Sequence, residues 1–390
     1  MVCFGDQQPG NGDGMQPSLT YDRFDDVHRI AILRGGGLGD LLVVEPAIRA
    51  LASAYPEAEI TLLGAPLAVD LLSDRPGPVT HVEQLPVKPG VRDGGTEDPA
   101  VTSMFLDRMQ ARRFDLAVQL HGGGRNSNPF LLELGARHTV GMATPDALPL
   151  ERNLTYVYYQ HEILRALEVV ALAGAVPVAL EPRIDVTHAE HERGAELASR
   201  VSDDVGPLLA LHPGATDPRR RWPADRFAEV AAQAVEAGAR VVIVGDQSDA
   251  EIGRTVLNRA NGRLSRSHRH RLGSLVGQLS LSELVGLFAH TDVMLGNDSG
   301  PRHLAQAVGS ATVGIYWIGN LINAGPLTRG RHRVELSWTT HCPVCGLTAT
   351  QGSVPRCEHD VSFVADVNAG ALSEHVADLI TATTPPPRGR

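Results

Sequence analysis

Short runs of apolar residues recur along the chain, each closed by a glycine-bearing turn and followed by a stretch of helical spacing. Residues 29–34 read Arg-Ile-Ala-Ile-Leu-Arg, then pass through Gly35-Gly36-Gly37-Leu38-Gly39-Asp40 into a helical pattern carried by Leu42, Pro46, Ile48 and Leu51. Residues 59–63 and 114–120 supply further strands, the second ending in His121-Gly122-Gly123-Gly124, while 74–100 is dense in Pro and Gly and is predicted irregular. The second half repeats the pattern. Strands are predicted at 207–211, 240–244, 292–295 and, last, 311–316, with helices at 223–236 and 281–289. Near-continuous apolar strands such as Val241-Val242-Ile243-Val244 suit parallel strands buried on both faces. The order predicts an α/β protein with two mostly parallel sheets joined near residues 181–187. The expected division is a disordered leader at 1–25, an N-terminal domain at 26–185, a C-terminal domain at 186–370, and a helix end with a mobile tail at 371–390.

Gly296-Asn297-Asp298-Ser299-Gly300-Pro301-Arg302-His303 joins the strand at 292–295 to a helix stopped by Gly309. Ser299 is placed to cap that helix, Gly300 lets a ligand approach the backbone, and Pro301 suits the first turn. Free amides at such a helix start attract phosphate.

Composition narrows the partners. The chain has 390 residues, more than one core usually supports, which fits two domains. With 35 basic against 45 acidic residues the net charge is −10, which disfavours nucleic acid and anionic membrane as non-specific partners. No apolar window is long enough for a transmembrane helix, and residues 1–20 lack a signal-peptide pattern, so a cytoplasmic protein is expected. Three of the four cysteines crowd between Cys342 and Cys357.

Within an acidic chain, Arg219-Arg220-Arg221 after the strand at 207–211 concentrates positive charge suited to a diphosphate. The 35–40 loop fails both the dinucleotide fingerprint and the Walker pattern, because Asp40 stands where a glycine is needed and no Gly-Lys-Ser/Thr follows. It does bring one carboxylate to the carboxyl edge of a sheet, where Asp40 serves either as a general base or as a helix cap. No Asp-X-Asp is present to carry a divalent ion, so diphosphate charge falls to arginine and helix starts. His121 is a weaker candidate on the acceptor side of the same cleft. Cys342-Pro343-Val344-Cys345 with Cys357 and His359 offers ligands for a structural zinc, His341 being a substitute; a redox pair or packing cysteines fit the same spacing. Asp246, Asp249 and Glu251 are equal candidates for a ribose hydroxyl.

Taken together, three stretches resemble the heptosyltransferase group, glycosyltransferase family 9, over about residues 30–367. They are Arg34-Gly-Gly-Gly-Leu-Gly-Asp40 with Pro46-Ala-Ile-Arg-Ala-Leu51; Leu211-His-Pro-Gly214 leading to Arg220-Arg-Trp-Pro223; and Asp298-Ser-Gly-Pro-Arg-His-Leu-Ala305. The resemblance implies the GT-B architecture, two Rossmann-like domains facing a central cleft. It places the catalytic base on Asp40 and donor-phosphate contact on Arg220, where relatives often carry lysine. Donor binding falls on Asp298, Ser299, Gly300 and His303, and their neighbours Gly37, Gly39, Thr216, Arg221 and Pro301 complete the expected donor site. The implied reaction is metal-independent, inverting transfer of a sugar, a heptose from ADP-heptose, to an acceptor hydroxyl, with peripheral membrane contact through a lipid-linked acceptor. A nucleotide-sugar epimerase and a non-catalytic nucleotide-sugar sensor are the rival readings.

Overall fold

A computed structural model describes residues 21–350 and 354–383. Most of the expected leader and the end of the expected tail lie outside the described residues. Among the described residues, the first half builds one sheet from β1 (Arg29–Arg34), β2 (Glu59–Gly64), β3 (His81–Gln84), β4 (Leu116–Gln119), β5 (His138–Ala143) and β6 (Arg152–Thr155). The second half builds another from β7 (Leu208–His212), β8 (Arg240–Ile243), β9 (Leu272–Ser274), β10 (Val293–Asn297), β11 (Ala311–Trp317) and β12 (His332–Ser337). The orders are β3-β2-β1-β4-β5-β6 and β12-β11-β10-β7-β8-β9, and all pairings are parallel.

Counted from the first strand of each half, the two orders are the same. In both, the chain reverses direction across the sheet between the first and fourth strands, which leaves a crevice at their carboxyl ends. Those ends carry the Gly35–Asp40 and His121 turns in one half and the 212–222 and 298–303 turns in the other. Ile30, Ala31, Ile32 and Leu33 of β1 are fully buried, as are all five residues of β7, because helices cover both sheet faces.

Two expectations about strands are corrected. The stretch 74–100 contains β3, and β12 follows the strand predicted to be last. β3, β6, β9 and β12 are the four sheet edges, and their sequences, such as His-Val-Glu-Gln and Arg-Asn-Leu-Thr, are polar because one side meets solvent. Their apolar signal is correspondingly weak.

The chain crosses between halves after the helix Glu162–Ala171 and enters the helix His188–Val201. One continuous core runs from Ile30, Leu42 and Ile48 to Leu208, Met294 and Leu304, so side chains of both halves share it. The final helix, Ala369–Thr383, sends Leu372, Val376 and Leu379 into the core of the second half. No helix among the described residues is long and apolar enough to cross a membrane.

Candidate active site

A cleft of about 1040 Å³ opens between the carboxyl ends of the two sheets. On the first-half wall, β1 delivers Arg34, and the glycine turn leads into the short helix Leu38–Leu42, which carries Asp40. One carboxylate oxygen of Asp40 accepts from the Gly37 amide at 2.8 Å, so part of the helix-cap reading holds. Its other oxygen accepts from Arg34 Nη2 at 2.8 Å, and the side chain remains about half exposed (49%) on the cleft wall.

Arg34 is buried, and its guanidinium is spent on fixed partners. Nε donates to the Asp40 carbonyl at 2.8 Å, Nη1 to the Leu120 carbonyl at 2.6 Å, and Nη2 also to Glu162 Oε2 at 2.8 Å. Burial acts to raise the Glu162 carboxyl, but Arg34 and Arg165 prevail and hold it below the ordinary carboxylate range. His121 is displaced from its expected place. Its ring packs on Gly35 beside this cluster, outside the cleft lining, with a buried Nδ1 that has no partner. Burial, reinforced by Arg34, pushes its imidazole down.

Across the cleft, β10 ends in Asn297, fully buried, which ties two turns together. Its Oδ1 accepts from the Trp222 amide at 3.0 Å, and its Nδ2 donates to the Pro213 and Gly214 carbonyls at 2.9 and 3.1 Å. The next carboxylate, Asp298, is buried and shared: His303 Nε2 lies 3.2 Å from Oδ1, while Arg220 Nη1 at 3.3 Å and Asn320 Nδ2 at 2.6 Å donate to Oδ2. Burial alone would raise its pKa, but His303 and Arg220 draw it down to about 2. Asp298 therefore presents Arg220 and His303 to the cleft, and its own oxygens are already occupied. Burial, with Arg302 beside it, pushes His303 down towards the neutral imidazole.

Ser299 stands at the N-cap of the helix Gly300–Val308 but does not cap it with its side chain. Its hydroxyl instead lies 3.0 Å from His212 Nδ1, and His212 Nε2 lies 3.2 Å from Asp249 Oδ2. Of the three acids considered for a ribose hydroxyl, Asp249 is thus committed internally, and Asp246 accepts from the Ser248 amide at 2.7 Å. Of the three arginines, Arg219 pairs with Asp217 at 2.6 Å, whereas Arg220 stays 40% exposed beside the cleft. Arg221 anchors through Nε on the Ala215 carbonyl at 2.8 Å.

The two walls touch. A Cβ added to Gly39 would come within 3.3 Å of the His303 ring, and one added to Gly300 within 2.9 Å of Leu38 Cβ. The structure brings Gly37, Gly39, Asp40, Thr216, Arg220, Arg221 and the residues 298–301 and 303 around one cleft. Glu162 and Asn320 are additions that the sequence did not announce, while Asn297 and His212 stood in quoted stretches and Asp249 was a ribose candidate, without the pairings found here.

Away from the cleft, the ligand atoms of Cys342, Cys345, Cys357 and His359 lie within 4.8 Å of one another. A tetrahedral zinc–thiolate site has sulfur–sulfur edges of about 3.8 Å, which this set can reach with small shifts. His359 Nδ1 is buried without a hydrogen-bond partner, as expected of a nitrogen reserved for a ligand. His341 is no substitute ligand: it lies outside the cluster and its Nδ1 sits 2.9 Å from Thr340 Oγ1.

The family model for glycosyltransferase family 9 (heptosyltransferase) matches residues 104–343. The chain belongs to glycosyltransferase family 9. Lipopolysaccharide heptosyltransferase 2 of Escherichia coli K12 is 25% identical over 305 residues, covering 74% of this chain and 82% of the relative. A family 9 glycosyltransferase structure from Veillonella parvula superposes with a TM-score of 0.75 at 18% identity, covering 94% of this chain and 100% of that one. The iron-containing dodecameric heptosyltransferase TibC of enterotoxigenic E. coli, in complex with ADP-D-beta-D-heptose, gives 0.52 at 14% identity, covering 96% of this chain and 82% of that one. The family 9 chain is a glycosyltransferase of two-sheet α/β architecture, as the sequence led one to expect, which displaces the epimerase and the non-catalytic sensor.

Proposed function

We propose that this family 9 enzyme transfers a heptose from ADP-heptose to a hydroxyl of a lipopolysaccharide-type core, with inversion, using Asp40 as general base. The donor chemistry follows that named for TibC and the acceptor class that named for the E. coli relative. The observation that carries the mechanism is the close approach of Gly39 to His303, where an added Cβ would come within 3.3 Å of the ring; it brings a half-exposed carboxylate of one half into the same cleft as the arginine-bearing pocket of the other.

Asp40 takes the proton of the acceptor hydroxyl as its oxygen forms the bond to the anomeric carbon. The bond from that carbon to the diphosphate breaks, and its electron pair leaves with the nucleotide. Arg220, held by Asp298, and Arg221 meet the charge of the departing diphosphate together with the start of the helix Gly300–Val308. One displacement inverts the centre. Thr216, Ser299, Pro301 and His303 line the donor side and Gly37 and Gly39 keep the facing turn free of side chains, while the acceptor lies on the first-half wall. The working division is a first domain at 26–185 and a second at 186–370. A lipid-linked acceptor would bring this enzyme to a membrane surface from the cytoplasm.

Cys342, Cys345, Cys357 and His359 would hold a tetrahedral metal ion of structural role, zinc or iron, both of which accept thiolates. Bound there, the ion would cross-link the loop after β12.

Replacing Asp40 by Ala tests the base. Turnover should fall by roughly 10²–10⁴, while calorimetry with ADP should show nearly parental binding. Unchanged turnover would remove Asp40 from the mechanism. Isomerised donor in the absence of acceptor would overturn the transfer reading itself.

A further inference from the structure

We infer that Glu162 is a positioning residue which shares the Arg34 guanidinium with Asp40 and so preserves the basicity of the Asp40 carboxylate. The inference rests on Asp40 being the general base. Its starting point is that Arg34 has no other place to go: it is buried, and Nε and Nη1 are tied to the Asp40 and Leu120 carbonyls at 2.8 and 2.6 Å. Its remaining nitrogen, Nη2, serves both carboxylates, Asp40 Oδ1 and Glu162 Oε2, each at 2.8 Å.

A guanidinium paired with one carboxylate alone makes that carboxylate a poor proton acceptor, because the pair favours the charged form. A second carboxylate on the same nitrogen divides that attraction and adds like-charge repulsion. Glu162 opens the helix Glu162–Ala171, lines the cleft, and its Oε1 lies 3.4 Å from Arg165 Nη1. Arg34 and Arg165 thus face Asp40 and Glu162 in a charge-balanced set. His161 on the same helix, Tyr156 and Tyr158 before it, His121 with Asp93 beside Arg34, and His303 from the other half complete the surroundings. Glu162 is ionised at neutral pH, since Arg34 and Arg165 overcome its burial. Neutralising it would leave one surplus positive charge on Asp40.

The test is the pH dependence of kcat/KM for heptose transfer from ADP-heptose to a heptose-bearing lipopolysaccharide core, in the parent, Glu162→Gln, Glu162→Asp and Arg34→Lys. Glu162→Gln should move the acid limb down by about one pH unit and lower the plateau about tenfold, with ADP binding and melting temperature kept. Glu162→Asp, which retains the charge, should restore most of the plateau and the limb. An acid limb left in place in a Glu162→Gln enzyme that melts like the parent overturns the inference. Should Glu162→Gln not fold, Arg34→Lys decides, because a single ammonium lacks the fork whose Nε and Nη1 bind the Asp40 and Leu120 carbonyls and so seat Nη2 between the two carboxylates: a parental acid limb and turnover there overturn sharing. A dead Asp40→Ala beside a parental limb in Glu162→Gln sinks sharing alone, whereas an active Asp40→Ala sinks the base and this inference with it.

Discussion

At the scale of single residues, two buried polar groups show how the site is held. Asn297 makes three hydrogen bonds that join the turn after β10 to the turn after β7. Asn297→Ala would leave the Trp222 amide without a partner, so urea unfolding should show a loss of about 2–4 kcal/mol, with weakened ADP binding. His332 is buried against Thr312 Oγ1 at 2.9 Å. Burial pushes its imidazole from 6.5 to about 4, against the pull of Glu181. Between those values the unfolded chain binds the extra proton, so this contribution is full above about pH 6.5 and is lost as pH falls through 4. His332→Gln should flatten the stability curve across that window by up to roughly 3 kcal/mol, measured by urea unfolding at pH 7.5 and 4.5. Neither role was legible beforehand. Asn297 stood in a quoted motif, but its partners lie 75 to 84 positions away, and no spacing rule reaches so far. Asp40 was legible because a glycine turn at a strand end announces it locally, whereas Arg220 and His303 were picked out through the family resemblance; that Asp298 spends its oxygens on its neighbours was not legible.

At the scale of elements, most strand–turn–helix units were readable because buried parallel strands are apolar; the edge strands were missed because they are not, and the interior strand β5 was missed because His138, Thr139 and Gly141 interrupt its apolar run. Two glycines of the helix Gly300–Val308 separate function from stability. Gly309, its C-cap, has φ +111° and open space where a Cβ would stand, so Gly309→Ala should cost about 1 kcal/mol and leave turnover alone. A Cβ added at Gly300 would stand 2.9 Å from Leu38 Cβ, a stiff neighbour on the opposite wall. Gly300→Ala must separate the walls, and transfer should fall at least about tenfold, as misplacement of reacting groups by an ångström does. A Gly300→Ala enzyme with parental turnover would show that this contact does not set the geometry. The cysteine cluster permits an independent check. Elemental analysis should find about one zinc or iron per chain, and a strong chelator should lower the melting temperature without abolishing ADP binding; metal-free protein of undiminished stability would favour a redox pair or packing cysteines.

At the scale of the whole molecule, the cleft works only if the halves keep their relation, and a buried ion pair spans them. Arg75 comes from the first half, after the helix Pro66–Leu72; its Nη1 donates to the Asp185 carbonyl at 2.6 Å and to Glu190 Oε2 at 2.8 Å. Glu190 lies in the helix His188–Val201 and also accepts from the Thr187 amide and from Ser282 Oγ, each at 2.9 Å. Burial would raise the Glu190 carboxyl, yet Arg75, Thr187 and Ser282 hold it low, so it is charged inside the molecule. Such a pair adds little net stability over apolar packing, but breaking it strands a charge. Arg75→Met should therefore cost about 3–5 kcal/mol, and Arg75→Met with Glu190→Gln should recover much of the loss. A double-mutant cycle in urea reads the coupling directly, with more than about 1.5 kcal/mol expected for contacting charges. Because the pair lies at the crossing between halves and not at the cleft, the double variant should regain stability while transfer remains slow, its halves being fixed by packing alone. Equal recovery of stability and turnover would mean that the shared core around Leu42, Ile48 and Leu304 suffices to hold Asp40 against the donor pocket.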